Sequence, residues 1–462
     1  MSINRRQFLH GLGAAAASSA SFAAMGNTLN VFNQSVADSV NDYKAIVCVF
    51  LLGGMDNHDT IIPYDQASYD RYAQIRAPLL SRYGNRRARA NLLVMSPNNS
   101  ATFNGRQFAM APELPKLHAL FQQGNAALVG NVGPLIHPLK RNDYENLLVK
   151  TPTRLFSHND QQATWMSSSP EGAQFGWGGF FADALLAGNP NGSPEFTTIT
   201  SGGNELFLTG SHSFPYQIGR NGSIGIEALE DLNGNATLRE RLLAHFKASQ
   251  FTRNNIIEQD VSHSMTAFFD SNTKYNQSLA NATNFTTQFP TTDLGSQLRA
   301  VARTISVRDS LAMKRQVFIV GMGGFDTHSA QVQAMPRLHQ QIDDAVSAFY
   351  QSMGELGLNN NVTLFTASDF GRTLAVNGDG TDHGWGGHHF VVGGAVNGKH
   401  IYGDIPNADF GHDHDAGSGR LIPSTSVEQF AEPLGRWFGL NETQINTALP
   451  NLRNFSTRLN YL

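Results

Sequence analysis

Five short segments bring carboxylates and imidazoles next to glycine: Gly53-Gly-Met-Asp-Asn-His-Asp-Thr60, Gly323-Gly-Phe-Asp-Thr-His-Ser329, Ala367-Ser-Asp-Phe-Gly-Arg-Thr373, Gly380-Thr-Asp-His-Gly-Trp-Gly-Gly-His-His389 and Gly411-His-Asp-His-Asp415. Any one could be only a turn, with an Asp capping the helix that follows. Together they offer oxygen and imidazole nitrogen without thiolate, a donor set that suits Zn²⁺, Mn²⁺ or Mg²⁺. Asp326 and His328 stand two apart. An extended backbone would send both side chains to one side, where they could chelate one cation. Asp382 and His383 are adjacent, which suits a loop wrapping a metal or a His oriented by its neighbour. Two such ions roughly 3.5–4 Å apart would form the clamp used in phosphoryl-type displacement. His412 and His414 could complete a site or lie in a solvated loop. His388 and His389 open a strand, so at most one of them should face the site. His58, His137 and His158 are further imidazoles outside these pairs.

These groups can act together only if the fold gathers them. Lys44 to Leu52 is an almost continuous apolar run followed by Gly53-Gly54, as in a central parallel strand buried on both faces. Asn125–Gly130, Gln316–Val320, Asn361–Thr366 and Phe390–Val396 read as further strands. Helices are expected over Gln66–Arg76 (ended by Pro78), Pro115–Gln123, Gln297–Leu311, Gln331–Leu356 and Ser426–Phe438. Pro336 falls in the first turn of the long one, and Pro433 should bend or break the last. Strands alternating with long helical patterns define an α/β fold with a doubly wound, mostly parallel sheet. Ligands then bind at the carboxyl ends of the strands, where the acidic and imidazole segments fall. Residues 193–292, rich in Gly, Ser, Asn, Thr and Phe, fit the scheme poorly. They read as an insertion with some helix near Ile226–His245 in one α/β domain spanning residues 25–462.

Composition narrows the classes. The chain has 462 residues, 40% hydrophobic and only 15% charged, enough for a large core and unlike a coiled coil or a disordered chain. A formal net charge of −4 excludes a general nucleic-acid binder. The single cysteine, Cys48, rules out an intrachain disulfide and a Cys-based metal site. The first 24 residues carry Arg5-Arg6, then an Ala- and Gly-rich apolar stretch, then small residues suited to cleavage. No later stretch reaches the roughly 18 apolar residues of a membrane helix. The expectation is an exported mature chain, periplasmic or secreted, with no membrane span.

The Asn-Arg-Arg-Gln-Phe-Leu run resembles a twin-arginine signal, which implies the twin-arginine export machinery as a partner. Five further motifs carry a wider resemblance: Val49-Phe-Leu-Leu-Gly-Gly-Met-Asp with Ile62-Pro-Tyr, Ser157-His-Asn-Asp-Gln-Gln, Gly324-Phe-Asp-Thr-His, Ser368-Asp-Phe-Gly-Arg-Thr and Thr381-Asp-His-Gly-Trp-Gly-Gly-His-His. In that order they resemble a bacterial family of exported proteins, domain of unknown function 1501. That family is similar to the alkaline phosphatase and sulfatase superfamily, which uses two metal ions on a doubly wound sheet. The resemblance implies an alkaline-phosphatase-like fold. It implies metal ligands at Asp56, Asp326 with His328, Asp382 with His383, and a distal His, for which His389, His412 and His414 are candidates. Asp369 stands where the family commonly has an acid, and Asp59 where relatives often have Asn. Among nucleophiles it points to Ser157, with Thr60 behind it; Cys48, inside the first strand, does not suit a modified-Cys sulfatase. Arg372 could hold a non-bridging ester oxygen or pair with a nearby carboxylate. Two functions follow as expectations. One is a metal-dependent hydrolase of small-molecule phosphate or sulfate esters. The other is a non-enzymatic exported binding or assembly protein with a degenerate site.

Overall fold

The computed structural model describes residues 42–186, 188, 190–202, 205–225, 236–252 and 255–462. The signal reading of residues 1–24 lies outside them. In chain order the strands are β1 (Lys44–Leu51), β2 (Ile61–Pro63), β3 (Leu93–Val94), β4 (Phe108–Met110), β5 (Ala126–Gly133) and β6 (Thr198–Thr200). They continue with β7 (Tyr216–Gln217), β8 (Arg315–Met322), β9 (Val362–Ser368), β10 (Gly387–Val392), β11 (Ile401–Gly403) and β12 (Thr425–Ser426). One large sheet runs β11-β5-β10-β9-β1-β8-β6-β7, with β12 beside β5, and β2, β4 and β3 form a small second sheet.

β1 shows why the large sheet sits at the centre. Its side chains alternate between two apolar layers. Ala45, Val47, Val49 and Leu51 face one, and Ile46, Cys48 and Phe50 the other. On the first side lie helices Asp293–Ser306 and Gln331–Glu355, through residues such as Leu298, Val301, Leu338 and Ile342. On the second lie His158–Ser167, Trp177–Leu186 and Val427–Phe438, through Trp165, Phe181 and Phe430. A strand covered on both faces has no polar side, which is what the unbroken apolar run foretold.

The sheet is mostly parallel, as expected, but β10 pairs antiparallel with both β5 and β9. Residues 193–292 are not wholly an excursion. β6 pairs parallel with β8 and β7 with β6, so this segment completes one side of the sheet. Two helices follow, Ala236–Thr252 and Ile256–Leu279, the second unforeseen; residues 226–235 of the expected helix lie outside the described residues. Pro78 does not simply end a helix. The first closes at Ile75, and a new one, Ala77–Tyr83, starts with the proline in its first turn. Val427–Phe438 continues through Pro433. No helix among the described residues is long and apolar enough to cross a membrane.

Candidate functional site

β1 is in register with β8 and β9, Leu51 lying opposite Met322 and Ser368, so the three strands end level with one another. Each chain then turns. Gly53 (φ +115) passes so close that a Cβ would collide with the backbone nitrogen of Asp326; only glycine fits both the conformation and the gap. Asp369 follows β9 directly and accepts from Gly53 N at 3.2 Å. The 380s loop comes back against this edge. Thr381 N donates to Thr327 O at 3.0 Å, and a Cβ on Gly380 would strike the Thr327 carbonyl. His383 is thereby set beside His328.

The result is a cluster of three imidazoles around one carboxylate. Asp326 Oδ1 lies 3.1 Å from His328 Nε2 and 3.2 Å from His383 Nε2, and those two nitrogens are 2.8 Å apart. His158 Nε2 lies 3.6 Å from Asp326 Oδ2. The ligand atoms of His158, Asp326 and His383 all fall within 4.8 Å of one another. Each imidazole has an acceptor at its other nitrogen. His158 Nδ1 donates to Asp369 Oδ2 at 2.6 Å, His383 Nδ1 to Phe156 O at 2.8 Å, and His328 Nδ1 faces Asp382 Oδ1 at 3.3 Å. These partners assign the tautomer that leaves a lone pair on each Nε2. Three lone pairs and a carboxylate then face one another, an arrangement that a cation between them relieves. Nitrogen and oxygen donors about 2.0–2.1 Å from one ion sit roughly 3.3 Å apart in a tetrahedral shell, close to the 3.1–3.6 Å between each Nε2 and its nearer Asp326 oxygen. The nitrogen-rich set fits Zn²⁺ or Mn²⁺ better than Mg²⁺, which favours oxygen.

The surroundings tune these groups. The Asp369 carboxylate raises His158 above the ordinary imidazole range, against partial burial. Burial holds His383 below that range. Burial alone would raise Asp326, but the Arg372 guanidinium outweighs it and keeps the carboxyl low. Phe156, whose carbonyl holds His383, takes φ +71, a strained conformation for a bulky residue.

The fold brings some expected residues together and not others. Asp326, His328, His383 and, behind His328, Asp382 meet as described. Asp382 also accepts from Asn377 Nδ2 at 3.0 Å. Asp369 stands behind His158, fully buried, and also accepts from Gln162 Nε2 at 2.8 Å. Arg372 pairs with Asp326 at 2.8 Å, and its other donors go to Gly53 O and Thr381. Its contacts are those of the ion pair, not of a free oxyanion hook. Asp56 lies outside the cluster, buried against Arg76 (2.5 Å) and Gln331 (2.5 Å) while capping the short helix Asn57–Thr60. Asp59 is held by Arg87 and Tyr83. His389 is buried beside Trp165 and Phe430, its ring centroid 5.7 and 6.2 Å from theirs. His388 Nδ1 accepts from Asn131 N. His412 and His414 belong to the turn around Asp415. Ser157 is the N-cap of helix His158–Ser167, between Phe156 and His158, and its Oγ donates to Asp160 Oδ2 at 2.8 Å. Thr60 Oγ1 is buried against the Asp56 carbonyl and His339. The member that spacing alone did not place is His158. Its signal was the Ser-His-Asn-Asp-Gln-Gln motif, in which the Asn-Asp pair hid an imidazole at a helix start.

An α/β sheet whose parallel strands end at a His/Asp centre defines the class of protein. The chain belongs to the family described as "Protein of unknown function (DUF1501)", whose profile matches residues 43–449. No curated protein matches it. Among solved structures it is similar to the sulfatase PsFucS1 from Pseudoalteromonas sp., at 9% identity and TM-score 0.36, covering 91% of this chain and 72% of that one. It is similar to the C-terminal periplasmic domain of EcEptC from Escherichia coli, at 10% identity and TM-score 0.33, covering 88% and 86%. It is also similar to the lipoteichoic acid synthase LtaP from Listeria monocytogenes, at 9% identity and TM-score 0.31, covering 90% and 78%. At these identities and TM-scores no role passes from those proteins to residues of this one.

Proposed function

We propose that this protein is an exported, metal-dependent hydrolase of phosphate or sulfate esters. The observation that carries the reading is the convergence of three Nε2 atoms on Asp326, each imidazole backed by its own acceptor. His158, Asp326 and His383 would hold the ion, with His328 beside them; when bound, it would supply Lewis-acid charge to an ester oxygen. The chain's own residues do the rest. Asp369, the Phe156 carbonyl and Asp382 fix the three rings, as acceptors behind metal-binding histidines commonly do. Arg372 keeps Asp326 ionised and in place. Ser157, at a helix N-terminus, is the nucleophile of this reading, and Asp160, already accepting its hydrogen bond, takes its proton. Asp326 and His328 are about 45% exposed, so a substrate can reach them from solvent.

A second reading is a binding or assembly protein on the same scaffold. It is favoured by Arg372, four of whose five N–H donors are committed within the protein. Protein recovered from the periplasm decides between the two. Bound Zn or Mn together with turnover of phosphate or sulfate monoesters, lost in Ser157→Ala with the metal retained, supports the hydrolase. Bound metal without turnover of either ester class supports the binding protein. Absence of metal removes both the centre and the hydrolase.

A further inference from the structure

A hollow of about 380 Å³ lies against the helix Asp293–Ser306. Arg299 and Arg303, one turn apart on that helix, form one wall. The other wall is the segment from Thr283 to Phe289, which contributes Asn284, Thr287 and the rings of Phe285 and Phe289. This wall is tied down at its start and in its middle. Thr283 N donates to Ser306 Oγ at 3.1 Å. Thr286 N and Thr287 N donate to the Glu355 carboxylate at 2.8 and 2.7 Å, joined by the Thr287 hydroxyl at 2.5 Å. Those donors, Thr287 foremost, hold the Glu355 carboxyl down to about 2. Its charge is thus turned toward the loop. Among the described residues no carboxylate lines the hollow, and neither guanidinium has an ion-pair partner. Two like charges one turn apart repel, so the fold maintains a cationic pair with no ion-pair partner among the described residues.

Arg303 also borders a second hollow of about 500 Å³, where Asn221, Ser223 and Asn276 supply polar groups. We propose that the two hollows, joined at Arg303, form a groove for a hydroxyl-rich ligand carrying a tetrahedral oxyanion: a sulfated or phosphorylated sugar. A guanidinium presents its donors as a planar fork that matches such an oxyanion. The amide and hydroxyl side chains match sugar hydroxyls, and the Phe rings offer an apolar face to a sugar's C–H side. The rigid loop wall means that little ordering is lost on binding.

The groove is separate from the His/Asp centre. Gln297 Nε2 donates to Gly321 O, near the carboxyl end of β8, at 2.9 Å. Arg303 lies about 9 Å further along the helix, at 1.5 Å per residue, toward the strand's amino end; Asp326 lies beyond the carboxyl end. Binding here does not rest on the hydrolase reading.

The test uses the full chain with chelator present, titrated calorimetrically with a glucose sulfate monoester, a glucose phosphate monoester and glucose itself. At least one ester should bind saturably, and glucose should not; the preferred ester identifies the oxyanion. Arg299→Gln combined with Arg303→Gln should weaken ester binding about tenfold or more, the loss of charge-assisted bonds, without lowering the melting temperature. Arg299→Gln alone, at an exposed position, should weaken it less and serves as the folded control. Asp326→Asn should leave it unchanged. Equal binding of glucose, an unaffected double variant, loss of binding in Asp326→Asn, or no saturable binding of either ester would each overturn the proposal.

Discussion

Behind each imidazole of the centre stands a different acceptor, and the differences have consequences. His158 is backed by Asp369, which is fully buried and further fixed by Gly53 N and Gln162. His328 is backed by Asp382, about 41% exposed and at a longer 3.3 Å. Asp369→Asn would turn an amide toward a ring nitrogen that now donates, favouring the wrong tautomer. We expect this change to weaken Zn²⁺ or Mn²⁺ binding by about 10–100-fold, the usual effect of losing such a partner, and Asp382→Asn to weaken it less. Competition against a chromogenic chelator measures both; equal effects would count against the assigned hierarchy. At this scale the sequence was partly legible. The Asp-Thr-His spacing did put Asp326 and His328 on one side, though through a tight turn in which His328 N donates to Asp326 O at 3.0 Å. The adjacent Asp382 and His383 looked like two ligands, but neighbouring side chains diverge, and the carboxylate ends behind the other histidine. His158 comes from a distant helix start, and no local spacing reveals a partner that only the tertiary fold supplies.

The elements that carry these residues were easier to read than their directions. The apolar run of β10 looks the same whichever way the strand points. What reverses it is the connection from β9, which contains no helix, whereas a parallel return normally needs a crossover helix. The glycine turns, by contrast, are legible because sterics leave no choice. Gly53→Ala would force a Cβ into Asp326 N at a positive φ. It should cost about 1–3 kcal/mol, the range for such backbone strain, and weaken metal binding by shifting Asp326; denaturant unfolding and chelator competition check the two parts. A different element contact sets a pH dependence. Asp343, on the helix Gln331–Glu355, accepts from Leu117 N at 2.7 Å at the start of Pro115–Gln122, while its second oxygen has no partner. Burial pushes its carboxyl up to about 6. A raised folded pKa means that the folded state binds the proton more tightly, so this group's contribution worsens as pH rises from about 4 to 6. Asp343→Asn keeps the acceptor for Leu117 and removes the buried charge. It should stabilise the protein by up to about 3 kcal/mol at pH 7.5, about two pKa units at about 1.4 kcal/mol each. The gap should narrow as pH falls below about 6 and close by about pH 4. A constant gap across pH would contradict this origin.

Across the whole molecule, a sheet covered on both faces buries imidazoles as well as aliphatic side chains, and this governs its response to acid. His339 is fully buried, its Nδ1 without a hydrogen bond and 4.0 Å from Glu113 Oε2, and burial lowers its pKa to about 4. Burial likewise lowers His388 to about 4 and His389 to about 3. These rings stay neutral in the folded chain at pH 5, while unfolded histidine, with a pKa near 6.5, takes up a proton. The unfolded state therefore binds more protons between about pH 6.5 and 4, so stability rises with pH through that window and is lost as pH falls. By linkage each group can cost about 2 kcal/mol at pH 5. Three together reach about 6 kcal/mol, comparable with the whole stability of a typical domain. The opposite slope from Asp343 offsets only part of this, being one group against three. Urea unfolding at pH 7.5, 6 and 5 should show a steep loss of stability well above the carboxylate range. His339→Gln should flatten that loss by about one proton's worth, because Gln near Thr60 has no charge to acquire. A protein equally stable at pH 7.5 and 5, or a His339→Gln variant with an unchanged slope, would show that the buried imidazoles do not set the acid limit and that the surface carboxylates do.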